Sequence, residues 1–179
     1  MTILISYSRT GNNQALAKKL AKQLKATHIP LTQPASKSMF SLVLDMIFKR
    51  TPSVEPTPDQ ALKSIKKDDL VLLAGPVWMG QVASPLRSFL DYLKDNPHRY
   101  GFISISGGSV QLGDQQANPN LENELNQRTG RKPDVLINKY IADLLPQDPK
   151  PTMQQTSKYK ITPEDIEKLT QEIVKAIQK

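Results

Sequence analysis

The 179-residue chain has no cysteine, which excludes disulfides, thiolate metal sites, cysteine nucleophiles and cysteine-ligated iron–sulfur clusters together. Any redox chemistry must then come from a bound cofactor. Histidine is nearly missing as well: His28 and His98 are the only two, far apart and in no metal-ligand spacing. Aromatic residues are 6% of the chain, with a single tryptophan, so the interleaving of rings and basic residues seen in nucleic-acid modules is absent. No apolar run approaches the roughly 20 residues of a membrane-spanning helix. Met1 leads into a strand pattern and not into a basic segment with a signal core, so the expected address is the cytoplasm. There is no Gly-Lys-Ser/Thr phosphate loop and no dinucleotide pattern of three spaced glycines.

What is present is an ordinary globular composition, 38% apolar and 23% charged, in a length that fits one domain over residues 1–179. Net charge is +7. The lysines are spread along helices and loops without forming one face, so nucleic acid is not the expected partner. The charge suits acidic partners, an anionic membrane surface or anionic substrates.

The chain is organised around Ser6-Tyr7-Ser8-Arg9-Thr10-Gly11-Asn12-Asn13, which lies between an apolar run at 2–5 and a helical pattern starting near Gln14. A strand that turns through such residues into a helix leaves several backbone N–H groups unpaired at the positive end of the helix dipole, which makes a phosphate cradle. Ser8 and Thr10 bring hydroxyl donors, Gly11 lets the backbone approach, and Asn12 and Asn13 bring amides; Arg9 extends across the loop mouth. The competing reading is that Thr10 simply caps the helix. After the buried-strand run 70–73 comes a second loop, Gly75-Pro76-Val77-Trp78-Met79-Gly80, where the lone tryptophan has no local packing reason to be and suits a stacked planar ligand. A third loop, Ser106-Gly107-Gly108, again ends a strand in glycine and hydroxyl.

Three such loops in this order resemble the flavodoxin family over about residues 2–140, through Tyr7-Ser8-Arg9-Thr10-Gly11-Asn12, Gly75-Pro76-Val77-Trp78 and Ser106-Gly107-Gly108. The resemblance implies an α/β fold, a flavodoxin-like three-layer α/β/α sandwich with a five-stranded parallel sheet in order 2-1-3-4-5 and FMN at its switch point. It implies that Ser8, Arg9, Thr10, Gly11, Asn12 and Asn13 hold the phosphate. Pro76, Val77, Trp78, Met79 and Gly80 would contact the ring, and Ser106, Gly107 and Gly108 would line its other edge. Asn13 stands where the family usually carries threonine. No residue is assigned a catalytic role, because the flavin carries the redox step.

Helices are expected from about Gln14, at 59–66, from a Ser84 cap with Pro85 at the first position, from Asn118-Pro119 to Gly130, and from a Thr162 cap with Pro163 and Asp165. Residues 146–151 read as a connector. At about 36–50 an extra helical segment has Ser38, Ser41, Asp45 and Lys49 as a polar stripe beside a wide apolar surface of Phe40, Val43, Leu44 and Ile47. That surface is expected to form a homodimer interface through residues 39–48 or a wall of the flavin pocket; the alternative is a membrane-surface helix. Two functions stay open. One is an oxidoreductase passing electrons from NAD(P)H to a quinone-like or other small acceptor. The other is a one-electron carrier, reduced by a reductase, that docks on protein redox partners.

Overall fold

The computed structural model describes residues 1–32, 41, 44, 45, 47–78, 80–107 and 119–178. Short apolar runs alternating with amphipathic helices form a parallel sheet covered on both faces. Its strands are β1 (Thr2–Ser6), β2 (Thr27–Pro30), β3 (Leu70–Ala74), β6 (Arg99–Ser106) and β7 (Val135–Tyr140), all parallel, in the order β2-β1-β3-β6-β7. Strands β4 (Val77–Trp78) and β5 (Gln81–Val82) form a separate antiparallel hairpin. Without the hairpin the order is the 2-1-3-4-5 expected, and the fold is a flavodoxin-like α/β/α sandwich.

The central strands β1, β3 and β6 are buried on both faces, so their alternate residues enter two cores. Ile3, Ile5, Val71, Leu73, Tyr100 and Phe102 pack against Phe89, Leu90 and Leu93 of α3 (Arg87–Asp95) and Leu121 and Leu125 of α4 (Pro119–Thr129). Leu4, Leu72, Ile103 and Ile105 pack on the opposite side against Leu16 and Leu20 of α1 (Asn12–Leu24) and Leu169 and Ile173 of α6 (Pro163–Ile177). Each fully buried side chain of this size contributes about 1.5–3 kcal/mol of burial. Register sets the site: Ser6 lies opposite both Pro30 and Ala74, and Ala74 lies opposite Ile103. The chain therefore leaves β1, β3 and β6 at one common edge.

The helix ends follow local chemistry. Thr162 caps α6 in a capping box with Asp165, and Gly130, at φ 72°, ends α4 with its N–H on the Asn126 carbonyl at 2.8 Å. Thr57 caps the short α2 (Pro58–Leu62). Ser84 behaves differently from expectation. It lies inside a 3-10 turn, Ser84–Leu86, that precedes α3, and makes no capping bond. Leu86 N–H closes that turn on the Ala83 carbonyl at 2.9 Å. A further helix, α5 (Met153–Lys158), follows the 146–151 connector and is capped reciprocally by Thr152 and Gln155.

The expected segment at 36–50 falls partly outside the described residues, with Met39, Phe40, Leu42, Val43 and Met46 among those left out. Ser41, Leu44, Asp45 and Ile47 are helical. Asp45 departs from the expected polar stripe, being 3% exposed, while Ile47 and Phe48 are 60% and 62% exposed. The reason is the guanidinium of Arg87, which lies beneath and donates to the Asp45 carbonyl at 3.2 Å and the Arg50 carbonyl at 3.4 Å. Among the described residues no helix is long and apolar enough to cross a membrane.

Candidate functional site

Tyr7 N–H donates to the Ala74 carbonyl at 2.9 Å, one residue past β1, and the chain then turns. Gly11 is the residue before α1, at φ 93°, a conformation that strains any residue with a Cβ; its N–H donates to Ser8 Oγ at 3.0 Å. No side chain caps α1. The first-turn N–H groups of Asn12, Asn13 and Gln14 thus lack intrahelical acceptors and carry the positive end of the helix dipole. Thr10 is not the cap.

Helix α1 begins two residues earlier than expected, and both asparagine side chains are buried. Asn13 Nδ2 donates to the Ile105 carbonyl at 2.8 Å while its Oδ1 accepts the Ile105 N–H at 2.9 Å. This explains asparagine at the position: β6 continues past the end of β3, and a carboxamide replaces the missing strand by satisfying one N–H and one C=O together. Asn12 does the same for the C-terminal segment, donating to the Tyr159 carbonyl at 2.9 Å and accepting the Ile161 N–H at 3.3 Å. Both carboxamides are therefore committed to backbone. For an anion, this end offers backbone N–H groups and the hydroxyls of Ser8 and Thr10.

The second loop leaves β3 through Gly75, where a Cβ would sit 2.4 Å from Leu86 Cδ1 and 3.2 Å from the Tyr7 carbonyl. Only glycine passes there. Val77 N–H then donates to Ser106 Oγ at 2.8 Å, which ties the hairpin to the end of β6. Gly80 closes the hairpin turn at φ 77°, and Met79 lies outside the described residues. Trp78 is half-buried, its ring meeting Tyr7 edge-on at 6.0 Å and 83°. Burial pushes the Tyr7 hydroxyl above its usual pKa, with Arg9 opposing, so Tyr7 is a neutral platform.

Behind the hairpin lies a polar cluster that nothing in the local sequence announces. Arg87 is fully buried. Its Nη2 donates to Gln81 Oε1 at 2.8 Å, and its Nε is 3.2 Å from Glu124 Oε1. Glu124 Oε2 in turn accepts the Val82 N–H at 2.6 Å, and Arg128 bridges Glu124 and Asp91 at 3.1 and 2.8 Å. Burial lowers the Arg87 pKa, Glu124 and Asp91 oppose this, and Arg128 adds to it. An arginine remains charged throughout. The cluster grips β5, the strand paired with the one that carries Trp78.

A cavity of about 390 Å³ opens where these loops meet. Ser8, Arg9, Thr10 and Asn13 line one end, and Pro76, Val77 and Trp78 line the other, with Ile105, Ser106 and Gly107 between them. Gly11, Asn12 and Gly80 are not on its wall, and Gly108 lies outside the described residues. Sequence reading missed Ile141, Thr156 and Ser157, which close the far side. The signal for α5 was available, since Thr152 precedes Gln155 by three residues in the capping-box pattern. Another cavity, about 480 Å³, lies against Gln81, Asn123, Glu124 and Arg128, and Lys49 also lines it. Its lining has carboxamides and ions but no aromatic ring, so a flat apolar ring suits the first cavity better.

Residues 1–142 match the family described as NADPH-dependent FMN reductase. Among solved structures, a flavoprotein in complex with FMN from Lactobacillus acidophilus is similar at 19% identity and a TM-score of 0.58, covering 77% of this chain and 92% of that one. A putative flavoprotein from Bacteroides eggerthii is similar at 13% identity and a TM-score of 0.57, covering 97% and 98%. One from Bacteroides uniformis follows at 15% identity and 0.53, covering 78% and 88%. At these identities the likeness is one of fold. No curated protein matches the chain in sequence.

Proposed function

The chain belongs to the NADPH-dependent FMN reductase family, and from that premise we propose that this FMN flavoprotein is an oxidoreductase passing electrons from NAD(P)H to a quinone-like or other small acceptor. The observation that carries the reading is the single cavity shared by an uncapped helix start and the lone tryptophan. The residues fit FMN. The free first-turn N–H groups of α1 and the hydroxyls of Ser8 and Thr10 suit a phosphate, and the half-buried indole of Trp78 suits a flat ring. Pro76, Val77, Ser106 and Gly107 would border that ring.

When bound, FMN supplies the electron exchange with donor and acceptor. The protein's part is to bind and orient it. Ser106 Oγ fixes the first strand of the hairpin, and the Arg87–Glu124 pair fixes the second from behind. These contacts hold the indole where a ring can stack. Among the described residues 41–50, none lines this cavity, so the exposed Ile47 and Phe48 support a homodimer face through the 39–48 helix in preference to a pocket wall.

The competing function, a one-electron carrier docking on protein partners, differs in one measurable respect. Mixing FMN-loaded protein with NADPH under stopped flow and then adding a quinone separates the two. Direct bleaching of the flavin absorbance by NADPH, reversed by quinone, is the result expected of the oxidoreductase. Absence of bleaching until a separate reductase is added would establish the carrier.

A further inference from the structure

Thr156 and Ser157, in the segment 152–162 that follows the family-matched residues 1–142, line the cavity, and Lys160 of the same segment stands just outside its wall, against the phosphate loop. This segment is tied to the loops around the cavity at three points. Asn12 holds the backbone of Tyr159 and Ile161. Thr156, fully buried, packs over Gly107, whose Cβ position would lie 3.7 Å from Thr156 Oγ1. The exposed Lys160 sends its Nζ to the carbonyl of Thr10. An ammonium has three N–H donors, so this contact leaves two to offer beside the loop that carries Ser8, Arg9 and Thr10, where the Asn12 and Asn13 carboxamides are committed elsewhere. Asp165, the carboxylate that follows on the same segment, is itself engaged by the Thr162 N–H and the Tyr159 hydroxyl at 2.8 and 2.7 Å.

We propose that Lys160 is a counter-charge for the cofactor phosphate, so that a residue outside the family-matched region makes the pocket select phosphorylated flavin. The helix start supplies roughly half a positive charge to a group carrying nearly two negative ones. A full ammonium anchored on the same turn, beside the Arg9 guanidinium on the cavity wall, adds a whole charge that can act through a charge-assisted bond. The inference rests on the FMN reading of the site and sharpens it by naming what discriminates FMN from riboflavin.

The test uses that pair of ligands, which differ only in the phosphate. Dissociation constants for FMN and riboflavin are measured by flavin fluorescence quenching on the wild-type chain, Lys160→Gln, Lys160→Arg and the control Lys158→Gln, at low and high salt. Lys160→Gln is expected to weaken FMN about tenfold at low salt and to flatten its salt dependence, with riboflavin unchanged. Lys160→Arg should restore most of the loss, and Lys158→Gln should shift FMN by less than about threefold. Equal weakening of both flavins by Lys160→Gln would assign the lysine a purely structural role and overturn the proposal, as would unchanged FMN binding. A wild-type chain that binds neither flavin would overturn the site reading itself, an outcome distinct from both.

Discussion

The two ends of the cavity are held by opposite strategies. At the phosphate end, short-range geometry does most of the work: Gly11 turns the chain, Ser8 takes its N–H, and two adjacent carboxamides satisfy backbone groups of β6 and of the C-terminal segment. At the ring end, a four-residue hairpin with almost no sheet of its own is held by a buried guanidinium and a carboxylate drawn from two helices. Rigid backbone suits an anion that many N–H groups must meet at once. A hairpin held by its side chains suits a planar ligand that needs one well-placed ring. Damage to the first end should therefore change anion recognition, and damage to the second should loosen the indole.

The largest effect is expected at the ring end. Arg87→Met leaves Glu124 with Arg128 alone and strips the Gln81, Asp45 and Arg50 acceptors of their donor, and should cost about 3–5 kcal/mol of stability, read by urea unfolding. The double variant Arg87→Met/Glu124→Gln removes both charges while keeping an acceptor for Val82 N–H, and should recover much of that loss. If the single and double variants are equally destabilised, the hairpin is not held by this pair.

Next comes Asn13→Thr, which introduces the residue more usual in the family. The threonine cannot satisfy the N–H and C=O of Ile105 together, so the variant should lose about 1–3 kcal/mol in thermal or chemical unfolding. A gain in stability would mean that the carboxamide is not replacing the missing strand.

Trp78→Ala should weaken FMN about tenfold, which is the ~1–1.5 kcal/mol of an aromatic contact. Because stacking does not involve the phosphate, riboflavin should weaken by the same factor. That parallel loss is the signature separating the ring end from the phosphate end, and unequal losses would blur the comparison.

The smallest effect is in pH. His28 lies behind the phosphate loop with its Nε2 2.8 Å from Ser6 Oγ. Burial, and secondarily Lys18, lowers its pKa below the usual histidine value. A depressed folded-state pKa gives stability that is fully present above about pH 6.5 and is lost as pH falls through the folded value. His28→Asn should flatten the thermal stability profile below that point, and an unchanged profile would remove His28 from the account.

Much of the fold was legible in the sequence because the central strands β1, β3 and β6 are buried on both faces and so read as apolar runs, and because Pro163 and Thr162 mark the start of α6 by local chemistry. The loops were legible for the same reason: glycine, hydroxyl and tryptophan announce themselves without reference to distant residues. Arg87 was not, since its partners Gln81 and Glu124 are brought to it only once the hairpin and α4 pack on α3. Asp45, expected in a polar stripe, is buried instead, because helical periodicity carries no information about the buried Arg87 beneath the segment. Thr156 and Ser157 were missed although the Thr152–Gln155 capping box marks their helix, because a helix of six residues shows no periodicity that would place its side chains on the cavity.

Trp78 is the only tryptophan in the chain, so its emission reports on the cavity alone, and titrating the cofactor-free protein with FMN while following that emission tests the shared pocket most directly. Quenching that saturates at one equivalent, with the flavin's own fluorescence lost in parallel, is the result expected. FMN taken up with the indole emission unchanged, or not taken up at all, would contradict the account.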